Sequence, residues 1–326
     1  MCVNENSQDI EMHIEISVIL PVYNDAKNLA RMLPDLFNLL SQKNGQHEII
    51  IVDDGSRDEI ADVYLMYSDQ SKKNIDIQLL QFSRNFGKEA ALSAGLQEAR
   101  GQIVAMMDSD GQHPLIVLKE MLDTIQQDSV DMVTAVQASR NHESMMLKMY
   151  KHVFYQFIQD SRRYQIEPNA GDFRVMKRKV VDSLLSLPER QRFMKGLYSW
   201  VGFKTLYLPF QAQERLEGSS SFNFSGLLEL ALVGITSFSL KPLRWITRVG
   251  FFVSIIAILY GLFIIADTLF FGRDLEGWPT LAVGIMFSSG LQLICLGVIG
   301  EYIGRIYDEV KQRPLYIVDK KWSSKN

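Results

Sequence analysis

Two long stretches of this 326-residue chain, 249–266 and 280–299, carry no charged residue. Crossing a hydrocarbon core of about 30 Å takes roughly 20 helical residues, and both runs are of that order. A buried helix of a soluble protein would carry a polar stripe, and neither run has one. We therefore expect two membrane spans, at 249–271 and 279–301. The connector 272–279 (GRDLEGWP) is short, so the spans form a hairpin within residues 245–304. Lys241, Arg244 and Arg248 precede the first span, and Arg305, Lys311, Arg313, Lys320 and Lys321 follow the second. The connector sets Arg273 against Asp274 and Glu276. The positive-inside rule then puts both termini and the N-terminal domain in the cytoplasm, in a multi-pass protein of the cytoplasmic membrane. Trp245 and Trp278 sit at interfacial positions, and Asp267 marks the non-cytoplasmic end of the first span, since a carboxylate at mid-bilayer is costly.

The remainder is a different kind of polypeptide. Residues 1–14 are a polar tail without a signal sequence, residues 15–223 a soluble domain, and residues 305–326 a basic cytoplasmic tail. Residues 224–244 are apolar but interrupted by Glu229, which suits an amphipathic helix lying on the lipid bilayer. Residues 145–164 mix aromatics with Lys and Arg, and suit either a lipid contact or a solvated helix with one core face. A net charge of −4 argues against a nucleic-acid partner. Cys2 and Cys295 form neither a disulfide framework nor a zinc pattern, which indicates a reducing compartment.

Within the soluble domain, residues 16–20, 48–52, 77–81, 103–107 and 132–135 read as short buried strands. Helical stretches near 26–40, 59–67, 88–99 and 115–126 lie between them. Such alternation predicts an α/β fold with a mostly parallel sheet and ligands at the carboxyl ends of the strands. Pro21, Tyr23 and Asn24 follow the first strand, Asp53 and Asp54 end the second, Lys88 follows the third, and Asp108-Ser109-Asp110 the fourth. Side chains at i and i+2 of an extended segment point the same way, so Asp108 and Asp110 can reach one site. Mg²⁺ or Mn²⁺ suits so sparse a set of carboxylates, completed by waters and substrate phosphates. The plain alternative is a solvated Asp-rich turn. No Gly-x-Gly-x-x-Gly follows the first strand, and Phe86-Gly-Lys-Glu lacks the spacing of a P-loop. Asp53 can accept from a base N–H or cap the turn after it, and Asp54 or Ser56 can cap as well.

Taken together, ISVILPVYN, Val52-Asp-Asp-Gly-Ser56 and Met107-Asp-Ser-Asp110 resemble the inverting family 2 glycosyltransferases with a GT-A (Rossmann-like) fold. Phe82 to Ala90, Asn169 to Arg174, Arg192 to Gly202, Gly300 to Arg305 (GEYIGR) and Lys311 to Tyr316 extend the likeness to the polyprenyl-phosphate glycosyltransferases. That group includes the bactoprenol glucosyltransferases and dolichol-phosphate mannose synthases. The resemblance implies transfer of a sugar from a nucleotide-sugar donor to undecaprenyl phosphate or another polyprenyl phosphate, with inversion. UDP-glucose is the first choice of donor, UDP-GlcNAc the second and GDP-mannose the third. Asp108, Asp110 and Gln112 would hold the metal; Pro21, Tyr23, Asn24, Asp53, Asp54, Lys88 and Ser109 would line the nucleotide-sugar pocket. The acceptor phosphomonoester, with a second pKa of about 6, is largely dianionic at neutral pH. It needs no general base, so His113 receives no catalytic role. It does need cations, and Arg140, Arg174 and Arg215 are the candidates, the last two also as catalytic groups.

The chain departs from the family pattern at His113, where Asp is common, and at Ser221, where Lys is common. The resemblance also implies a homo-oligomer, with a tetramer as candidate assembly, and a flippase as candidate downstream partner. Two other readings are a membrane-anchored transferase acting on a non-lipid acceptor and a non-catalytic nucleotide-sugar-binding protein. Lys241-Pro-Leu-Arg244-Trp245 lacks the Gln of the processive-synthase motif, so a polymerising synthase is set aside.

Overall fold

The computed structural model describes residues 13–68, 74–137, 166–167, 170–190, 192–211, 241–271 and 277–324. These divide into two compact units, a sheet domain that includes the segment after residue 313, and a helix pair.

The sheet domain is built on eight strands: β1 (Ile14–Val22), β2 (Gln46–Asp53), β3 (Ile75–Phe82), β4 (Ile103–Met106), β5 (Met132–Gln137), β6 (Ala170–Lys177), β7 (Thr205–Phe210) and β8 (Val318–Ser323). Their order is β7-β5-β6-β4-β1-β2-β3-β8. β4, β1, β2 and β3 run parallel, as do β5 and β7, while β6 and β8 are antiparallel to their neighbours. This is the expected mostly parallel sheet. Its central strands are near-continuous apolar runs because both faces are covered; Val18, Ile19, Leu20, Ile49, Ile50 and Ile51 are all buried.

The helices α1 (Ala26–Ser41), α2 (Ile60–Ser68), α3 (Lys88–Glu98) and α4 (Leu115–Thr124) fall on the four helical stretches read from the sequence, followed by α5 (Arg178–Leu185) and α6 (Met194–Trp200). α1 buries Leu29, Leu33, Leu36 and Leu40, one stripe at helical spacing. α3 has no such stripe and packs through small residues instead. A Cβ on its Gly95 would come within 2.2 Å of the Ile19 side chain, so this helix can lie close against β1 only with glycine there.

The basic tail expected over 305–326 takes a different form. α8 (Trp278–Lys311) runs past residue 305, and Gln312 in the left-handed region with Pro314 beyond it ends the helix. β8 then pairs antiparallel with β3. Its Lys320 and Lys321 look like tail charge, yet lysines suit an edge strand because they discourage further pairing. Trp322 leans on Tyr64 at 6.3 Å, and Tyr316 stacks on Phe82 at 4.9 Å while its hydroxyl donates to Gln97 Oε1 at 2.8 Å.

In the other unit, α7 (Lys241–Phe271) and α8 are both long and apolar enough to cross a membrane. α7 begins at Lys241, so residues 241–244, expected to end an interfacial helix, form the first turn of this long helix. The rest of the expected interfacial helix, 224–240, and the stretch 145–164 lie outside the described residues.

Candidate active site

Because β1, β2, β3 and β4 are parallel, their carboxyl ends share one edge of the sheet, and the loops that follow them are tied to one another. Asn24, in the left-handed region at φ 51°, donates its N–H to Ser56 Oγ at 2.8 Å and accepts from the Arg57 N–H at 2.9 Å. Asp53 is fully enclosed; it accepts from the Ser56 N–H at 2.8 Å and from Gln81 Nε2 at 3.0 Å. Asp54 accepts the N–H groups of Phe86 at 2.6 Å and Gly87 at 2.9 Å, so it acts as a bracket on the loop after β3. Burial pushes its carboxyl up, and those two N–H groups offset part of the shift. Gly55, at φ 72°, admits the same loop, since a Cβ there would sit 2.3 Å from the Arg84 backbone. Tyr23 is half exposed beside this edge.

The loop after β4 is held just as closely. Ser109 is buried and donates to Asp25 Oδ2 at 3.0 Å, which ties this loop to the one after β1. Asp110 Oδ1 accepts the Gln112 N–H at 3.0 Å. His113 Nδ1 accepts the Asp108 N–H at 3.0 Å, and its ring stacks on Phe173 at 4.4 Å. Burial lowers the His113 pKa, which keeps the ring neutral, and its Nδ1 lone pair is already used. It shapes the loop and offers no base through that nitrogen.

A row of charge crosses this edge. Lys88 Nζ lies 2.6 Å from Asp108 and 3.2 Å from Asp172 Oδ2. Burial alone would lower the Lys88 pKa, but the Asp172 and Asp108 carboxylates more than reverse it and hold the ammonium charged. β6 brings Asp172 here, pairing antiparallel with β4 so that Arg174 faces Met106. Selection by cationic charge picks out the arginine of the Gly171–Arg174 segment, but it is the aspartate that joins the site. Arg174 is 4 % exposed; its Nε donates to Gly171 O at 2.9 Å and its guanidinium lies 4.1 Å over the Tyr198 ring. The guanidinium is thus packed within the protein in this structure. Arg140 and Arg215 lie outside the described residues.

Residues 17–185 match the family described as Glycosyl transferase family 2, and residues 241–306 match the GtrB C-terminal hairpin. This chain belongs to glycosyl transferase family 2. The transferase is 42 % identical to an uncharacterised glycosyltransferase of Synechocystis, over 95 % of this chain and 96 % of that protein. It is also 42 % identical to the bactoprenol glucosyl transferase of Shigella phage SfII, over 94 % and 98 %, and 36 % identical to the putative glycosyltransferase CsbB of Bacillus subtilis, over 93 % and 91 %. Among solved structures, a mannosyltransferase from Pyrobaculum calidifontis in complex with GDP-Man and Mn²⁺ aligns at 14 % identity and a TM-score of 0.45, covering 93 % of this chain and 89 % of that one.

The donor set of the transferase fits a hard divalent cation. Asp108 and Asp110 offer oxygen ligands from one short loop, and among the described residues no group of three His, Cys, Asp or Glu gathers to hold a metal ion by itself, so waters and substrate oxygens would complete the set. One half-buried carboxyl beside the site gives a measurable consequence. Glu89, whose Oε2 accepts the Met194 N–H at 3.3 Å, is pushed up to about 8 by burial first and by Asp172 second. Its ordinary value is 4.5, so between these values the folded transferase binds more protons than the unfolded chain. Stability therefore falls as pH rises through that window. Glu89→Gln keeps an acceptor for Met194 and removes the ionisation. The apparent melting temperature of the wild type should fall relative to this variant between about pH 5 and about pH 8. Parallel pH profiles for the two proteins would contradict the assignment.

Proposed function

We propose that this transferase moves glucose from UDP-glucose onto the phosphate of undecaprenyl phosphate, or a similar polyprenyl phosphate, at the cytoplasmic face of the membrane. The observation that carries the reading is the likeness to the phage bactoprenol glucosyl transferase, which runs through the catalytic domain and on into the hairpin helices. The charged edge supports it with a chemical account.

Tyr23, Asp53 and the bracketed loop after β3 form the nucleoside side of the site, and Asp108 and Asp110 stand at its diphosphate side. Mg²⁺ or Mn²⁺ held by these carboxylates, with Gln112 beside them, would neutralise the charge that develops on the departing UDP. Lys88, kept cationic by its two carboxylates, adds a fixed positive charge next to the same position. An acceptor phosphate oxygen forms the new bond to the anomeric carbon as the bond to UDP breaks on the opposite face, so the configuration inverts. The acceptor is already an anion and loses no proton, which agrees with a His113 whose Nδ1 is occupied. A lipid-linked product made on the cytoplasmic side calls for a flippase downstream, and a homo-oligomer, up to a tetramer, is the assembly we assign.

A panel of UDP-glucose, UDP-GlcNAc and GDP-mannose, each with the detergent-solubilised full chain and Mg²⁺, tests the donor. Release of nucleotide that depends on undecaprenyl phosphate is expected with UDP-glucose. Acceptor-dependent release with another donor alone would move the assignment to that sugar. Nucleotide release that ignores the lipid phosphate would remove the acceptor from the account.

A further inference from the structure

The acceptor phosphate needs a cation, and the Arg174 guanidinium is buried over the Tyr198 ring. Side chains on β6 alternate, so Asp172 and Arg174 share one face while Phe173 and Val175 enter the core. Arg174 lies over Tyr198 of α6, and Lys195 stands three residues before Tyr198, on the same side of that helix. The Met194 N–H is bonded to Glu89, which fixes the start of α6 beside the start of α3 and hence beside Lys88. Lys195 therefore faces the Asp172 end of the charged row. Its ammonium makes no hydrogen bond or ion pair among the described residues, although its surroundings are dry enough for burial to pull its pKa down. On the same face, Asp172 Oδ1 is buried without a hydrogen-bond partner among the described residues. A half-buried cation with no direct partner is costly, and an incoming anion relieves that cost.

The position also separates the two phosphates. Asp108 and Asp110 mark the leaving diphosphate; Lys88 bridges Asp108 to Asp172, and Lys195 stands near enough to Asp172 to interact with its carboxylate. An inverting displacement brings the nucleophile from the side opposite the leaving group. We propose that Lys195 binds the phosphate of the lipid acceptor, with Asp172 holding Lys88 and Lys195 apart on its two sides. This assignment rests on the polyprenyl-phosphate reading above.

The test compares wild type, Lys195→Met and Lys195→Arg as full chains in detergent, reading the KM for undecaprenyl phosphate and the Kd for UDP-glucose. Loss of a charge-assisted contact to phosphate should raise the acceptor KM of Lys195→Met by about ten- to a hundredfold. UDP-glucose binding should be unchanged, which also shows the variant to be folded, and Lys195→Arg should recover part of the loss. If Lys195→Met turns over too slowly for a KM, direct binding of undecaprenyl phosphate should show the same weakening. An unchanged acceptor KM, or a defect confined to UDP-glucose, overturns the role of Lys195 alone. A wild type that makes no lipid product with any donor overturns this role together with the proposed function.

Discussion

Asp110→Asn should lower the turnover of this transferase by about 10²–10³-fold, the usual cost of removing a preorganised electrostatic contact to charge that develops in the transition state. The substitution is clean for a structural reason. Asp110 Oδ1 accepts the Gln112 N–H, and the asparagine carbonyl can do the same, so the loop after β4 keeps its shape. Ser109 remains tied to Asp25 and His113 to the Asp108 N–H. What disappears is one unit of negative charge and, under the proposed function, an oxygen ligand for the metal beside the leaving diphosphate. The melting temperature should hardly move, and excess EDTA should reproduce the loss in the wild type. Full activity in Asp110→Asn, or in EDTA, removes the metal from the account.

Asp54→Ala should act on stability as well as binding. Asp54 is buried and satisfies the N–H groups of Phe86 and Gly87. Leaving a buried donor without its partner costs about 1–3 kcal/mol, and this change strands two. The loop it releases leads directly into Lys88, so the ammonium that bridges Asp108 and Asp172 loses its fixed origin. We expect a melting temperature several degrees lower and a raised KM for the nucleotide sugar. Asp54→Asn, which keeps one acceptor oxygen, should fall between. A variant with normal stability and a selective loss of donor affinity would instead make Asp54 a direct ligand.

Asp110 and Asp54 differ in how far a local sequence pattern reveals their roles. Asp108 and Asp110 follow an apolar strand one residue apart, and Asp108 meets Lys88 at this edge of the sheet. The first five strands are legible for the same reason, as apolar runs closed by turn residues. Asp54 reads from sequence only as a cap or a ligand, because its partners belong to a loop some thirty residues away. β6 carries Asp172 and Arg174 inside a strand whose pairing with β4 is long-range and antiparallel, so nothing local says which of the two meets Lys88. Charge type favours the arginine for a phosphate role, while the fold packs it over the Tyr198 ring and sets Asp172 on Lys88. β8 is hidden by its lysines, which suit an edge strand and a tail equally well. Lys195 lies within the segment Arg192 to Gly202 that carries the resemblance, yet its place beside the site depends on α6 docking against Glu89 and Arg174.

The central claim is that the sugar ends on a lipid phosphate. The most direct measurement incubates the full chain with radiolabelled UDP-glucose, Mg²⁺ and undecaprenyl phosphate, extracts with organic solvent, and reads the anomeric proton of the recovered product. The account predicts label in the organic phase, in proportion to UDP released, on an anomeric carbon inverted from α to β. Label that stays in the aqueous phase while UDP is released, or a product of retained configuration, would contradict it.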